Sequence, residues 1–73
     1  MKKLKLYLID HKISQARFGL LIGVTQVAIN RYLTGRRFPE PTIILKIEEV
    51  TNGHVTPSDW YDEYRTKNSN LTP

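Results

Sequence analysis

The segment from Gln15 to Thr34 constrains the fold more than any other, because two short helical patterns meet there at one glycine. Ser14 is a favourable N-cap for the first helix, and Thr25 is one for the second. Gly23 suits the left-handed conformation in which many helices end. So short a connection leaves the two helices at an angle, and the sequence therefore predicts a helical corner at residues 15–34.

Apolar residues recur at helical spacing along the rest of the chain. Leu4 to Leu8 also alternates partly at period two, but no partner strand is visible nearby, which favours a helix. The sequence predicts an all-α fold, a compact bundle of five short helices at about 2–11, 15–22, 26–34, 42–51 and 57–64. Residues 1–64 are predicted to form one domain, and the polar, aperiodic residues 65–73 a disordered C-terminal tail.

Several side chains are predicted to shape this bundle. Phe18, Leu21 and Ile22 recur at i, i+3 and i+4 and are expected to face the core. Gly19 lies inside a helix, where glycine costs about 1 kcal/mol relative to alanine, which indicates that the next helix approaches closely there. Thr42 is the expected N-cap of the fourth helix.

The basic residues are concentrated in one half of the chain. Residues 1–37 hold eight Lys and Arg against one Asp, a net charge of +7, whereas residues 38–73 hold three against six acidic residues, a net charge of −3. A strongly basic half is typical of a protein that binds a polyanion on one side, although chance clustering on an ordinary surface gives the same totals. Four basic residues near the N-terminus are interpreted as a solvated face: Lys2, Lys3, Lys5 and Lys12.

Length and composition argue against several classes of function. A chain of 73 residues leaves no room for a deep enclosed active site, and no serine, histidine and carboxylate stand in a catalytic pattern. There is no cysteine, and His11 and His54 lack a partner at metal-ligand spacing. No apolar run approaches the roughly 20 residues that span a bilayer. We therefore expect no enzyme activity, no cofactor or metal, no membrane contact and a cytoplasmic location.

Seven residues of the corner stand in a characteristic order. A glutamine comes first and twelfth, a small residue fifth, a glycine ninth, and apolar residues tenth, fifteenth and eighteenth; these are Gln15, Gln26, Gly19, Gly23, Val24, Ile29 and Tyr32. In this order the segment resembles the helix-turn-helix of the Cro/repressor family of phage and bacterial transcriptional regulators. A looser similarity extends from about Leu4 to Trp60. The resemblance implies a sequence-specific DNA-binding transcriptional regulator, a Cro-like repressor of a phage or prophage.

In a helix-turn-helix the second helix meets base edges in the major groove with its N-terminal residues. The residues expected to contact bases are Gln26, Val27 and Arg31. Those expected to contact the DNA backbone are Gln15, Thr25, Asn30, Arg36 and Arg37. The resemblance also implies that Gln15 braces Gln26. Four alternatives stay open. Gln26 is only an exposed first-turn residue, Val27 belongs to the core, or Arg31 is merely solvated. The fourth is that Arg36 and Arg37 form an ordinary basic loop.

The expected partner is double-stranded DNA, with the palindromic operator and two-fold dimer that are usual in the family. Nothing after Gly53 resembles the C-terminal strand through which lambda-type Cro proteins pair, so a homodimer would be weak or formed on DNA. Two interpretations of the C-terminal aromatic residues stay open. Either an apolar patch for pairing is formed by Trp60, Tyr61 and Tyr64, or Trp60 covers the core and the two tyrosines lie on the surface. Two other functions are open: an antitoxin with a DNA-binding fold, and a helical protein-binding module.

Overall fold

The computed structural model describes residues 1–68, and within them it contains five α-helices and no strand. In chain order the helices are α1 (Lys2–Asp10), α2 (Gln15–Ile22), α3 (Gln26–Thr34), α4 (Pro41–Val50) and α5 (Pro57–Asn68). The predicted all-α bundle is confirmed, including the corner between α2 and α3. None of the described helices is long and apolar enough to cross a bilayer.

Some helix ends differ from the prediction, and local chemistry explains them. The first and fourth helices were each predicted to end one residue too late, because His11 and Thr51 are C-caps rather than helical residues. The fourth helix begins at Pro41, with Glu40 as its N-cap, so the prediction that Thr42 caps it is wrong. Proline fits the first helical position because the N–H it lacks has no partner there in any helix.

The last helix, α5, continues beyond the predicted end at residue 64 and includes residues 65–68. Arg65 donates to the Asp62 carboxylate at 2.6 Å, and the Thr66 hydroxyl donates to the Asp62 carbonyl oxygen at 3.0 Å. A basic side chain near the end of a helix is also favoured by the helix dipole. Residues 65–68 are thus helical rather than disordered, and the rest of the predicted tail, 69–73, lies outside the described residues.

All five helices and the segment before α5 contribute to one hydrophobic core. Its buried members are Met1, Leu4, Leu8, Phe18, Ile22, Ile29, Tyr32, Ile44, Ile47, Val55 and Trp60. Leu21, which was predicted to face the core, is instead 42 % exposed. The buried side of α2 carries Phe18, Gly19 and Ile22, and Leu21 lies beyond the edge of that arc.

The corner between α2 and α3 depends on two glycines. Gly23 has φ 80°, in the left-handed region, and the N–H groups of Gly23 and Val24 both donate to the Gly19 carbonyl oxygen, at 2.8 and 2.9 Å. A Cβ added to Gly19 would stand 2.6 Å from the carbonyl oxygen of Val24. The close approach predicted at Gly19 is therefore confirmed, and it fixes the point at which the chain enters α3.

The α-amino group of Met1 joins three helices. It donates to the Leu33 carbonyl oxygen at 2.7 Å and pairs with the Glu63 carboxylate at 3.0 Å. These contacts hold the start of α1 against the last turn of α3 and the middle of α5. The end of α3 and the outer face of α5 thereby have a defined relative position.

Candidate nucleic-acid interface

One face of α3 is exposed along its whole length and carries no acidic side chain. We call it the α3 strip; its members are Gln26, Val27, Asn30, Arg31 and Thr34. At 3.6 residues per turn these side chains share roughly 140° of the helix circumference. The opposite face buries Ile29 and Tyr32 in the core. The core therefore holds α3 in place while the strip remains accessible to a partner.

The three residues predicted to contact bases all lie on the α3 strip. Val27 is 58 % exposed, which excludes the alternative that it belongs to the core. Gln26 begins the helix, and Arg31 follows about one and a half turns later. The side chains of Gln26 and Arg31 form no hydrogen bond or ion pair with the rest of the described chain. Their polar groups are accordingly available to another molecule.

Two of the residues predicted to contact the DNA backbone flank or share this strip. The Thr25 hydroxyl oxygen accepts the Ala28 N–H at 3.1 Å and so caps α3, as predicted. A hydroxyl that accepts in this way still has its own hydrogen to donate. Asn30 lies one turn after Gln26 and near the middle of the strip, so it faces the same side of the helix as Gln26 and Val27.

The two arginines after α3 are held beside its last turn by backbone hydrogen bonds. Gly35 ends the helix at φ 78°, and the N–H groups of Arg36 and Arg37 donate to the Arg31 carbonyl oxygen at 2.9 and 3.3 Å. This Schellman-type ending folds the loop back onto the helix. Both side chains are exposed, so the chain presents two arginines directly after the last turn of α3.

Gln15 is half-buried at the start of α2, and no hydrogen bond joins it to Gln26. The bracing contact that the resemblance implied is thus absent from this structure. Gln15 instead lines a surface depression of about 350 Å³ together with Lys5 and Lys12. These lysines were interpreted as merely solvated, yet they lie beside a predicted DNA-contacting residue. The position of Lys12 two residues before the α2 cap could have indicated this. Lys3, by contrast, pairs with Asp59 at 3.1 Å.

The histidines occupy a different part of the molecule. His11 and His54 both contact the ring of Tyr7, with ring centroids 4.0 and 5.3 Å apart respectively. Within the part of the chain that the structure describes, no group of three or more His, Cys, Asp and Glu is placed to hold a metal ion.

Comparison with known proteins identifies the class to which this fold and corner belong. A family model described as helix-turn-helix matches residues 4–58, most of the chain. The chain therefore belongs to the helix-turn-helix family, in its Cro/C1-type form, and is a DNA-binding transcriptional regulator. No curated protein and no solved structure matches the sequence.

Proposed function

We propose that this regulator is a Cro-like repressor of phage or prophage type that occupies operator DNA by inserting α3 into the major groove. The observation that carries the proposal is the α3 strip, which is exposed, free of acidic side chains and backed by a buried face. A helix with side chains is about 10–12 Å wide, and the major groove is about 12 Å wide. The strip and the groove thus match in size and in charge.

The base-contacting residues of the proposal have distinct chemistry. The Gln26 amide can accept from adenine N6 and donate to adenine N7 at once, and Val27 can contact a thymine methyl group. Arg31 can donate to guanine O6 and N7, or to a phosphate when the base is different. Three adjacent side chains with these preferences would read a short half-site.

The remaining residues supply affinity and register. Thr25 and Asn30 would donate to phosphate oxygens on either side of the groove, and Gln15 would do so from the start of α2. Arg36 and Arg37 would lie along the backbone, where their charges release counterions without reading sequence. These contacts orient α3 so that its first turn reaches the base edges.

We also propose a palindromic operator, bound by two copies whose half-sites are centred roughly 34 Å apart. Trp60 is 3 % exposed, so it belongs to the core and not to a pairing surface. Tyr61 and Tyr64 remain about half exposed on α5. A surface this small supports a weak pairing that is completed on DNA rather than a stable free dimer.

Selection of bound duplexes from a random pool tests the proposal. We expect an enriched palindrome with a half-site spacing near one helical turn, for the native chain and equally for a Glu49→Gln control on the exposed side of α4. Enrichment of an unrepeated site would contradict the dimer but not the groove contact. Failure to retain any duplex even at low salt would contradict the proposal and favour a protein-binding module.

A further inference from the structure

A second candidate site lies between the loop after α3 and the side of α5 that carries Trp60, Glu63 and Tyr64. It is a cavity of about 240 Å³, whose aromatic walls are Tyr32, Phe38, Trp60 and Tyr64. Phe38 meets the ring of Trp60 at 77° and that of Tyr64 at 73°, with ring centroids 6.3 and 5.3 Å apart. Edge-to-face packing of this kind is favourable, so these rings form one apolar wall. We call it the aromatic cavity.

The polar groups of the aromatic cavity favour an anion. Arg36 and Arg37 line it and form no ion pair with any described residue, whereas Glu63, the acidic residue in the lining, is paired with the Met1 ammonium. The indole N–H of Trp60 is buried and has no hydrogen-bond partner among the described residues. That nitrogen is not accessible from the cavity, so the polar side of the cavity is formed by the arginine pair.

We propose that the aromatic cavity binds a small aromatic carboxylate, a single ring with a short acidic side chain. An apolar cavity of about 150 Å³ already holds benzene, so 240 Å³ accommodates one ring and a carboxylate. The ring packs among Phe38, Trp60 and Tyr64, and the carboxylate takes hydrogen bonds from an arginine at the edge of the cavity.

Ligand binding has a consequence for DNA. The two arginines that line the cavity are the ones proposed to contact the DNA backbone, so a carboxylate and a phosphate compete for them. Because such coupling is reciprocal, the acid weakens DNA binding as much as DNA weakens binding of the acid. This consequence rests on the proposed function, whereas binding of the acid to the free protein does not.

Titration of the free protein with phenylacetate tests the site. The chain has one tryptophan, so its single indole N–H resonance reports on the cavity directly. We expect a saturable shift in the millimolar range, as suits a ligand of about ten heavy atoms. Phenylacetamide, which keeps the ring without the charge, should bind about tenfold more weakly, and butyrate, which lacks the ring, should bind more weakly still.

Variants separate the cavity from general charge effects. Arg36→Ala combined with Arg37→Ala should weaken phenylacetate binding about tenfold, and Arg17→Ala, an exposed arginine on α2, should leave it unchanged. An indole resonance that does not move at 20 mM phenylacetate, roughly the upper end of that range, would overturn the proposal. Equal binding of the acid and the amide would overturn the assignment of an anion. Electrophoretic retardation of DNA with and without phenylacetate then tests separately whether the acid weakens DNA binding.

Discussion

At the scale of single residues, Gln26 is the most direct test of DNA reading. Its amide makes no hydrogen bond within the described chain and stands in the first turn of α3. Gln26→Ala should lower affinity for the selected operator by about 1–3 kcal/mol and relax preference at one base position. Electrophoretic retardation of a panel of single-base operator variants measures both the affinity and the base preference, with Glu49→Gln as the control. Unchanged preference at every position would remove Gln26 from the reading surface.

Gly19 lies outside the α3 strip, but its close contact with the chain before α3 sets the position of that helix. Alanine has the higher helix propensity by about 1 kcal/mol, so an unhindered helix would gain stability from Gly19→Ala. Here the new Cβ would meet the backbone oxygen of Val24 at 2.6 Å, and backbone cannot move away cheaply. We expect Gly19→Ala to lower the free energy of unfolding by about 1–3 kcal/mol in denaturant titration. Leu20→Ala, at a side chain that is 81 % exposed, is the matched control. A more stable Gly19→Ala variant would mean that the corner relaxes.

At the scale of elements, α5 begins with a reciprocal pair of hydrogen bonds. The Thr56 N–H donates to the Asp59 carboxylate at 2.8 Å, and the Asp59 N–H donates to the Thr56 hydroxyl at 3.3 Å. Burial acts to raise the pKa of Asp59, but the Thr56 and Lys3 hydrogen bonds and the charge of Lys3 outweigh it, so the pKa lies below its ordinary value. The carboxylate therefore stabilises the fold while it is ionised.

Replacement of Asp59 tests this helix start. A lowered pKa means that the stabilisation is present above the ordinary Asp pKa of about 3.9 and is lost as the pH falls through the folded-state value. Asp59→Asn should lower the free energy of unfolding by about 1 kcal/mol near neutral pH. The difference from the native chain should shrink on acidification. Asp62→Asn, whose partner Arg65 is exposed, should have a smaller effect. A difference that is constant from pH 7 to pH 2 would contradict the role of the ionised carboxylate.

The loop after α3 attaches α5 through Phe38, which contacts the rings of Trp60, Tyr61 and Tyr64. Phe38→Ala should lower the free energy of unfolding by about 2 kcal/mol, since Phe38 is half-buried and loses several ring contacts. The emission of Trp60 should shift to longer wavelength as water reaches it. Phe38→Leu keeps apolar volume and should show a smaller change in both. An unshifted emission would show that α5 docks without the loop.

For each helix, the sequence predicts those features that depend on a single side chain and its immediate neighbours in the chain. The caps Ser14 and Thr25 and the turn at Gly23 follow from local hydrogen-bonding and steric preferences, and the structure confirms each. The start of α4 was missed because Thr42 favours an N-cap, whereas Pro41 directly before it favours the first helical position, and the proline prevails. The exposure of the α3 strip follows from helical spacing. The aromatic cavity could not be predicted, since its walls come from segments more than 20 residues apart in the chain.

At the scale of the whole molecule, charge is divided between the two halves of the chain, and the exposed arginines belong chiefly to the basic half. Affinity for DNA should therefore fall steeply with salt. Arg36→Ala and Arg37→Ala should each reduce the slope of log K against log salt by about one and weaken all sequences alike. Lys3→Ala is the control, because Lys3 pairs with Asp59 instead. A double variant with the native slope would show that these arginines do not contact phosphate.

The Schellman-type ending of α3 has a consequence for how such a regulator can diverge. The arginine loop is attached to the carbonyl oxygen of residue 31, not to the Arg31 side chain. Any residue that tolerates a helix can stand at position 31 without releasing the loop. If Arg31 reads a base and the loop arginines bind phosphate, as proposed, a lineage could change its operator one substitution at a time without losing the phosphate contacts.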